Sequence, residues 1–468
     1  MADTAASDPM VASVMPRLEA RVRQIMAEQG VPGIALGIVR DQSLAWQGGF
    51  GFADLAAARA MDADTICGVA SITKTFTATA IVQLRDEGKL RLDDPIVRHI
   101  PEFKAVPNRF GANEEVTLRR LLTHRAGLVG ESPDGHWSNL EFPSMQETLA
   151  MLARCEIVIE PDSAFKYCNL AFALLGEVVE RVAGRPYRDY VRENILAPLG
   201  MTSSGFELEA HRERVATGYM PERYQDVPAA APDPPTRGYE AAAGLRTCVG
   251  DLAKWVSLQF RTKADQRGGA QVLKGKSISG MHRVTFVERD WKVGYALTWM
   301  ATRIGENIYL HHGGSVPGFL SMLAFNKQYK LGVIALSNKQ GNIAANSIAF
   351  EALELLVAAA KSEFRAAPPI ATPEKFKLLI GRYVGMDNFG GILHIEFRGG
   401  VLMLATPTDP FLPPPAPPAP LVATAAPQTF IVSLGRPAGE PLRFELDAQG
   451  RATSFILGDN GGRYRKTD

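Results

Sequence analysis

Apolar residues recur three and four apart over residues 16–28, and Gly30 follows, a pattern that predicts an amphipathic helix. Two strand-like runs come next, 33–40 and 43–50, parted by the turn-like Asp41-Gln42. After the segment 62–69, Phe76, Ala80, Ile81 and Leu84 share one helical face, so a helix is expected over 71–85, ending at Glu87-Gly88. Helical spacing then dominates to about Leu199, at 118–122, 145–154 and 169–182, the last stopping at Gly184. Residues 221–239 are Pro-rich and read as a long loop. A helix over 251–261 precedes strand-like segments at 291–301, 307–312, 319–326 and 331–337, and a helix over 343–360 closes this part. Strands at both ends with helices between them predict one sheet built from distant pieces, with a helical subdomain over roughly 75–200.

The Ala- and Pro-rich run 365–373 reads as a linker, which divides the chain into a first domain, 1–365, and a second, 374–468. From 376 onward short apolar runs alternate with Gly turns such as Arg398-Gly399-Gly400 and Ala448-Gln449-Gly450. That is the pattern of a small antiparallel β domain, a barrel. No internal repeat of fixed period is visible. Between Asp409 and Arg436 there is no charge, a length that would span a bilayer. Pro410, Pro413, Pro414, Pro415, Pro417, Pro418, Pro420 and Pro427 forbid a helix there, so the stretch reads as a stiff loop or linker. The N-terminal MADTAASDPM has no basic segment followed by an apolar core; no secretory signal is read, and a cytoplasmic location is expected.

Composition narrows the function classes. Hydrophobic residues make up 46% and charged residues 22%, the balance of an ordinary globular protein. Lys plus Arg (51) nearly cancels Asp plus Glu (50), for a net charge of +1, which excludes a strongly basic nucleic-acid binder and an acidic disordered chain. Cys67, Cys155, Cys168 and Cys248 form no C-x-x-C pair, so neither a disulfide scaffold nor a zinc site is expected, and no metal or cofactor.

Three short motifs carry chemistry. In Ser71-Ile72-Thr73-Lys74 the hydroxyl and the amine lie three apart and meet on one helical face. A desolvated lysine has a lowered pKa and can take the serine proton, and a serine opening a helix has a free N–H for an oxyanion. The plainer reading is a helix-capping serine beside a surface lysine. Ser163-Ala164-Phe165-Lys166 fits the same spacing, but it follows Pro161-Asp162 in an apparent loop. In Tyr167-Cys168-Asn169 the phenol and the amide share a face if the segment is extended; otherwise this is a buried tyrosine beside a helix N-cap asparagine. In His311-His312-Gly313-Gly314-Ser315 a strand ends in small residues, against which a substrate can lie. Adjacent strand histidines point to opposite faces and cannot chelate one metal.

Ser-x-x-Lys, Tyr-x-Asn and His-x-Gly, in this order, resemble the serine β-lactamase-like hydrolases of the class C type, which include penicillin-binding-protein-like esterases, D-aminopeptidases and peptide-cyclising thioesterases. Gly88-Lys89-Leu90-Arg91-Leu92-Asp93-Asp94-Pro95, Leu121-Leu122-Thr123-His124-Arg125-Ala126-Gly127-Leu128, Pro198-Leu199-Gly200-Met201 and Ala243-Gly244-Leu245-Arg246-Thr247 look like further family segments. The resemblance covers roughly 17–361. It implies an α/β fold, an antiparallel sheet flanked by helices plus a helical subdomain. The small C-terminal β domain is similar to the lipocalin-like barrel of some relatives. It further implies Ser71 as the acylated nucleophile, Lys74 as its base, Tyr167 as second proton carrier and Asn169 as a substrate-orienting amide. For the third motif the register starting at His312 keeps Gly318-Phe319 at the family spacing, which makes His312, Gly313, Gly314 and Ser315 substrate-binding. The backbone N–H groups of Ser71 and Ser315 would form the oxyanion hole. His124 reads as structural, and Cys168 should point away from the pocket.

Departures bear on substrate. Asp162 replaces a glycine common before the Tyr-x-Asn loop; penicillin-recognising relatives carry Lys-Thr-Gly at the third motif, where this chain has His312, and the class A motif Ser-Asp-Asn is missing. These argue against strong β-lactamase or D,D-carboxypeptidase activity. The leading expectation is a metal-free serine hydrolase acting through an acyl-enzyme on small carboxylic esters, as family VIII-like carboxylesterases do. The alternatives are a D-aminopeptidase or other penicillin-binding-protein-type peptide hydrolase or cyclising thioesterase, and a catalytically silent scaffold. The expected partner is a small-molecule ester or peptide, with no nucleic acid and no membrane. The oligomeric state stays open.

Overall fold

The computed structural model describes residues 8–133, 136–207, 209–221, 228–262, 272–366, 371–386, 391–406, 418–434, 437–458 and 462–467. The chain forms two compact units, 1–364 and 365–468.

The first unit is organised by a nine-stranded antiparallel sheet in which the two ends of the segment meet. The early strand Gly33–Arg40 pairs with Ser43–Asp54 on one side and with the late strand Leu331–Ser337 on the other, Leu36 facing Ala335. Phe319–Asn326, Asn307–Val316 and Met300–Ile304 follow outward. Gly33–Arg40 is apolar on both faces because both are covered. Ile34, Leu36 and Ile38 pack under the helices Pro9–Gln29 and Ala344–Ala366, whereas Ala35 and Val39 face the larger core with the remaining helices. The expected α/β architecture is therefore present.

Several boundaries differ from those the pattern predicts, each for a local reason. The first helix begins at Pro9, not near Pro16, because Asp8 caps it, its Oδ1 accepting from the N–H groups of Met10 (3.0 Å) and Val11 (3.1 Å). Met10, Val11 and Met15 extend the buried stripe of Leu18, Val22 and Ile25, and Pro16 is tolerated on the exposed side. The segment 145–154 splits into a short helix, Met145–Ala150, and a 3-10 turn, Leu152–Arg154. The segment 291–301 is two strands, Val293–Tyr295 and Met300–Ile304, with Thr298 at φ +67° between them. Part of the Pro-rich loop is ordered by pairing, Tyr219–Met220 with Ala229–Ala230.

The second unit is a closed eight-stranded antiparallel barrel, its last strand, Arg463–Lys466, pairing with its first, Gly381–Gly385. Tyr383, Phe444 and Phe455 fill its core. The uncharged stretch 409–436 is not simply a linker: Ala419–Ala423 and Thr429–Val432 are barrel strands, and its residues 409–417 and 435–436 lie outside the described ones. Within the described residues no helix is long and apolar enough to cross a membrane.

One contact ties the sheet to the helical layer. Trp255, on the helix Val249–Gln259 that covers the sheet, stacks on Phe76 of the helix Thr73–Asp86 with ring centroids 3.9 Å apart. Its Nε1 donates to Thr75 Oγ1 at 3.2 Å. Both rings are fully buried. Trp255→Ala is expected to destabilise the first unit by about 3–5 kcal/mol, read as a lower urea midpoint by tryptophan-independent circular dichroism.

Candidate active site

Ser71 does not open the α-helix, as its spacing suggests. It sits in a 3-10 turn, Ala70–Ile72, placed directly before the helix Thr73–Asp86. Ala70 holds φ +48°, a conformation its methyl side chain disfavours, and the surroundings fix it there. Thr73 Oγ1 donates to Ala70 O and accepts from Leu245 N, while Val69 N donates to Leu245 O. The family-like segment around Gly244 thus anchors the turn from behind.

Lys74 is fully buried. Its Nζ lies 2.9 Å from Ser71 Oγ, 2.7 Å from Asn169 Oδ1 and 2.9 Å from the carbonyl of Ala242. Burial lowers its pKa from 10.5 to about 7, a fall opposed by the nearby Glu131 carboxylate. A neutral amine has two N–H donors and one lone pair. It donates to Asn169 and Ala242 and accepts from the Ser71 hydroxyl, so the lone pair faces the proton it must remove.

Tyr167 hydrogen-bonds Ser71 through its phenol, and burial raises its pKa well above the usual value, so it stays protonated. Lys74 Nζ lies 5.0 Å from its ring centroid. On the other side its ring stacks on His124, 4.3 Å between centroids. His124 is buried at φ +56°, and its Nδ1 accepts from the Cys168 backbone N–H at 3.0 Å, which puts the ring proton on Nε2. Its structural part is to hold the chain on both sides of Tyr167.

Asn169 is the first residue of the helix Asn169–Ala183, not its cap. Cys168 caps instead: its Sγ accepts from Ala171 N at 3.1 Å and donates to Val129 O at 3.1 Å, away from Ser71. This frees the Asn169 amide, whose oxygen faces Lys74 and whose nitrogen donates to Glu131 Oε1. Glu131 Oε2 in turn accepts from His136 Nε2 at 3.2 Å, and Ser132 and Tyr239 complete the cluster. Sequence reasoning missed Glu131, His136, Ser132 and Tyr239. Glu131 meets Asn169 across 38 residues, and no spacing rule marks that pairing.

The third motif continues the strand through its glycines as Asn307–Val316. His311 and His312 do point to opposite faces. His311 Nε2 meets Thr302 Oγ1 at 2.9 Å, and its ring meets Phe350 edge-on, on the helix-covered side. His312 faces the side of Lys74, its Nδ1 donating to Gly313 O at 2.7 Å. Burial, with Lys74 adding to it, lowers the His312 pKa to about 3, so this ring is neutral across the working range and not a pH-dependent cation. Gly314 lies against the nucleophile turn: a Cβ there would fall 2.1 Å from Val69 O and 2.7 Å from Ser321 Oγ. Gly313 is beside it and Ser315 is exposed at the strand's end.

The second Ser-x-x-Lys does not assemble: Ser163 is exposed and its hydroxyl donates to Glu160 O at 2.6 Å. Asp162 adopts φ +66°, the reason a glycine suits this position, and Arg120 Nε holds its carboxylate at 2.7 Å. Among the described residues no group of three or more His, Cys, Asp or Glu is placed to hold a metal ion.

A family model described as Beta-lactamase matches residues 18–358. The chain is 25% identical to Protein flp of Staphylococcus aureus (strain COL) over 309 residues, 66% of this chain and 60% of that protein. It is 34% identical to Esterase EstB of Burkholderia gladioli over 220 residues, 44% of this chain and 55% of that one. The matches thus span less than two thirds of these curated relatives. The octameric penicillin-binding protein homologue from Pyrococcus abyssi superposes with a TM-score of 0.64 at 26% identity, covering 97% of this chain and 100% of that one.

The close approach at Gly314 makes a specific demand. Gly314→Ala is expected to cost about 1–3 kcal/mol through overpacking and to push the Ser71 turn out of position. A lower melting temperature together with at least tenfold slower labelling of Ser71 by a fluorophosphonate would be the outcome. Unchanged labelling would mean that strand and turn are not in contact.

Proposed function

The chain belongs to the beta-lactamase family, and from that premise we propose that it is a serine hydrolase that cleaves small carboxylic esters through an acyl-enzyme on Ser71. The observation that carries this reading is the position of Lys74: a buried amine of pKa about 7, within hydrogen-bond reach of the serine oxygen.

The steps follow from the donors and acceptors. Neutral Lys74 takes the Ser71 proton as Oγ adds to the ester carbonyl, forming the tetrahedral intermediate. The backbone N–H groups of Ser71 and Ser315 receive the oxyanion. Collapse breaks the bond to the alkoxide, which takes the phenol proton of Tyr167, and Lys74 returns a proton to Tyr167. Water then adds to the acyl-enzyme by the same route in reverse, releasing the acid. The ester preference is supported by the third motif. A permanent cation there would pair with a substrate carboxylate, and neutral His312 offers none. The name of the partial relative, Esterase EstB, supports the same choice.

Two outcomes check the proposal. An irreversible phosphonate is expected to add its mass to the wild-type chain and not to Ser71→Ala; label on Ser163 would overturn the assignment. The second outcome is the pH profile for a neutral p-nitrophenyl ester. Only the unprotonated amine can accept the serine proton, so kcat/KM is expected to fall about tenfold per pH unit below an apparent pKa near 7 and to level off above it. An acid limb at pH 4–5 instead would point to a carboxylate as base.

A further inference from the structure

A one-way chain of hydrogen bonds fixes how the Asn169 amide stands. Tyr239 accepts from the Ser132 backbone N–H at 3.0 Å, and its own O–H donates to Ser132 Oγ at 3.1 Å. The Ser132 hydrogen is then left for His136 Nδ1 at 3.5 Å, so the His136 proton sits on Nε2 and is donated to Glu131 Oε2 at 3.2 Å. A carboxylate can only accept. The Asn169 group that meets Glu131 Oε1 must therefore be its NH2, which leaves the amide oxygen for Lys74 Nζ at 2.7 Å. His136 is fully buried and packed among the rings of Trp137, Phe142 and Tyr239, which hold it in this role.

Among the described residues Glu131 is also the one negative charge that faces the base. The other titratable groups around Lys74 are Tyr167, Cys168, His124 and His312. Burial keeps each uncharged: it raises the first two, Cys168 to about 12, and lowers both histidines. Glu240, on the short helix Glu240–Ala243 whose Ala242 carbonyl meets the amine, is paired with Arg188. Resting on the reading of Ser71 as nucleophile and Lys74 as its base, we propose that Glu131, backed by His136, is a positioning residue for that base. It holds the Asn169 oxygen on the amine and supplies the charge that balances the ammonium formed there. With a neutral group in its place the amide can stand either way round. Turned over, it presents its NH2 to Lys74, and the amine loses an acceptor. The ammonium also loses its counter-charge as the serine proton arrives.

The test follows the pH dependence of Ser71 labelling by a fluorophosphonate, which needs no ester turnover, with a p-nitrophenyl ester alongside. In the wild type the midpoint is expected near 7, so labelling at pH 6 should run at about a tenth of its plateau rate. A carboxylate favours the ammonium, so removing it lowers the midpoint. Glu131→Gln is expected to lower it by about half a pH unit or more, which gives about a quarter or more of its own plateau at pH 6. Its plateau should fall about three- to tenfold below that of the wild type. A lower plateau with an unmoved midpoint would mean a purely structural role and overturns the proposal, as does a wild-type profile. The Glu131 side chain is 33% exposed, so Glu131→Ala leaves a gap that a small acid can enter. Acetate should restore the plateau of that variant and raise its midpoint, and acetamide should do neither. Equal effects of the two, or none from either, overturn the proposal even where the Gln variant does not fold. If wild-type Ser71 is labelled but no ester turns over, the ester reading falls and this proposal stands. If Ser71 is never labelled, both fall.

Discussion

A lysine amine enclosed by protein, with three acceptors around it, is the constraint from which the rest of the first unit follows. Ser71 Oγ, Asn169 Oδ1 and Ala242 O each lie within 2.9 Å of Lys74 Nζ. As an ammonium the group has three donors for three acceptors. As a neutral amine it has two donors and a lone pair, and the serine hydroxyl only has to turn round. Both protonation states are therefore satisfied by the same atoms, which is what a base in a closed site requires. The arrangement burdens the fold. A lysine whose pKa drops from 10.5 to about 7 on folding has its charged form disfavoured by about 5 kcal/mol relative to the unfolded chain. The unfolded chain binds the extra proton between those values, so this group's contribution to stability rises with pH from about 7 to 10.5 and is most unfavourable below 7. The surrounding core has to offset that penalty.

The packing shows how. Trp255 on Phe76 fixes the helix that carries Lys74, and the absence of a Cβ at Gly314 lets the third-motif strand lie on the turn that carries Ser71. Cys168 takes over the helix cap, which leaves the Asn169 side chain for the lysine. Were Asn169 the cap, its oxygen would face the helix N–H groups and the amine would lose an acceptor. His124 stacks behind Tyr167 and binds the next backbone N–H, so the phenol is held from two directions.

These devices were unequally legible in the amino-acid sequence. The sheet built from two distant pieces, the Ser71–Lys74 pairing and the opposite faces of His311 and His312 rest on local periods of three or two residues, and such periods can be read directly. The barrel was legible as alternation with Gly turns, but its strand Ala419–Ala423 was hidden because Pro420 argues against a strand. The 3-10 turn at Ser71 was hidden because nothing about an alanine announces φ +48°. The neutrality of His312 and the Glu131 cluster come from tertiary burial and from a contact 38 residues apart. Local pattern carries no information about either.

The charges at the site also constrain each other. At neutral to mildly basic pH, Tyr167 and His312 are uncharged, the first through a raised pKa and the second through a lowered one. Lys74, with a pKa of about 7, is half protonated at neutral pH and neutral above it, and the Asn169 amide links it to Glu131. When the serine proton moves to Lys74 an ammonium appears as the oxyanion forms, so the two new charges are created as a pair in one enclosed volume. An ammonium made there also lies one amide away from Glu131, whose carboxylate favours it. The Glu131 carboxylate therefore stabilises the protonated base. A site with a permanent cation at the third motif would stabilise the oxyanion but raise the energy of that new ammonium. With His312 neutral, the lysine can accept its proton without a neighbouring positive charge to resist it.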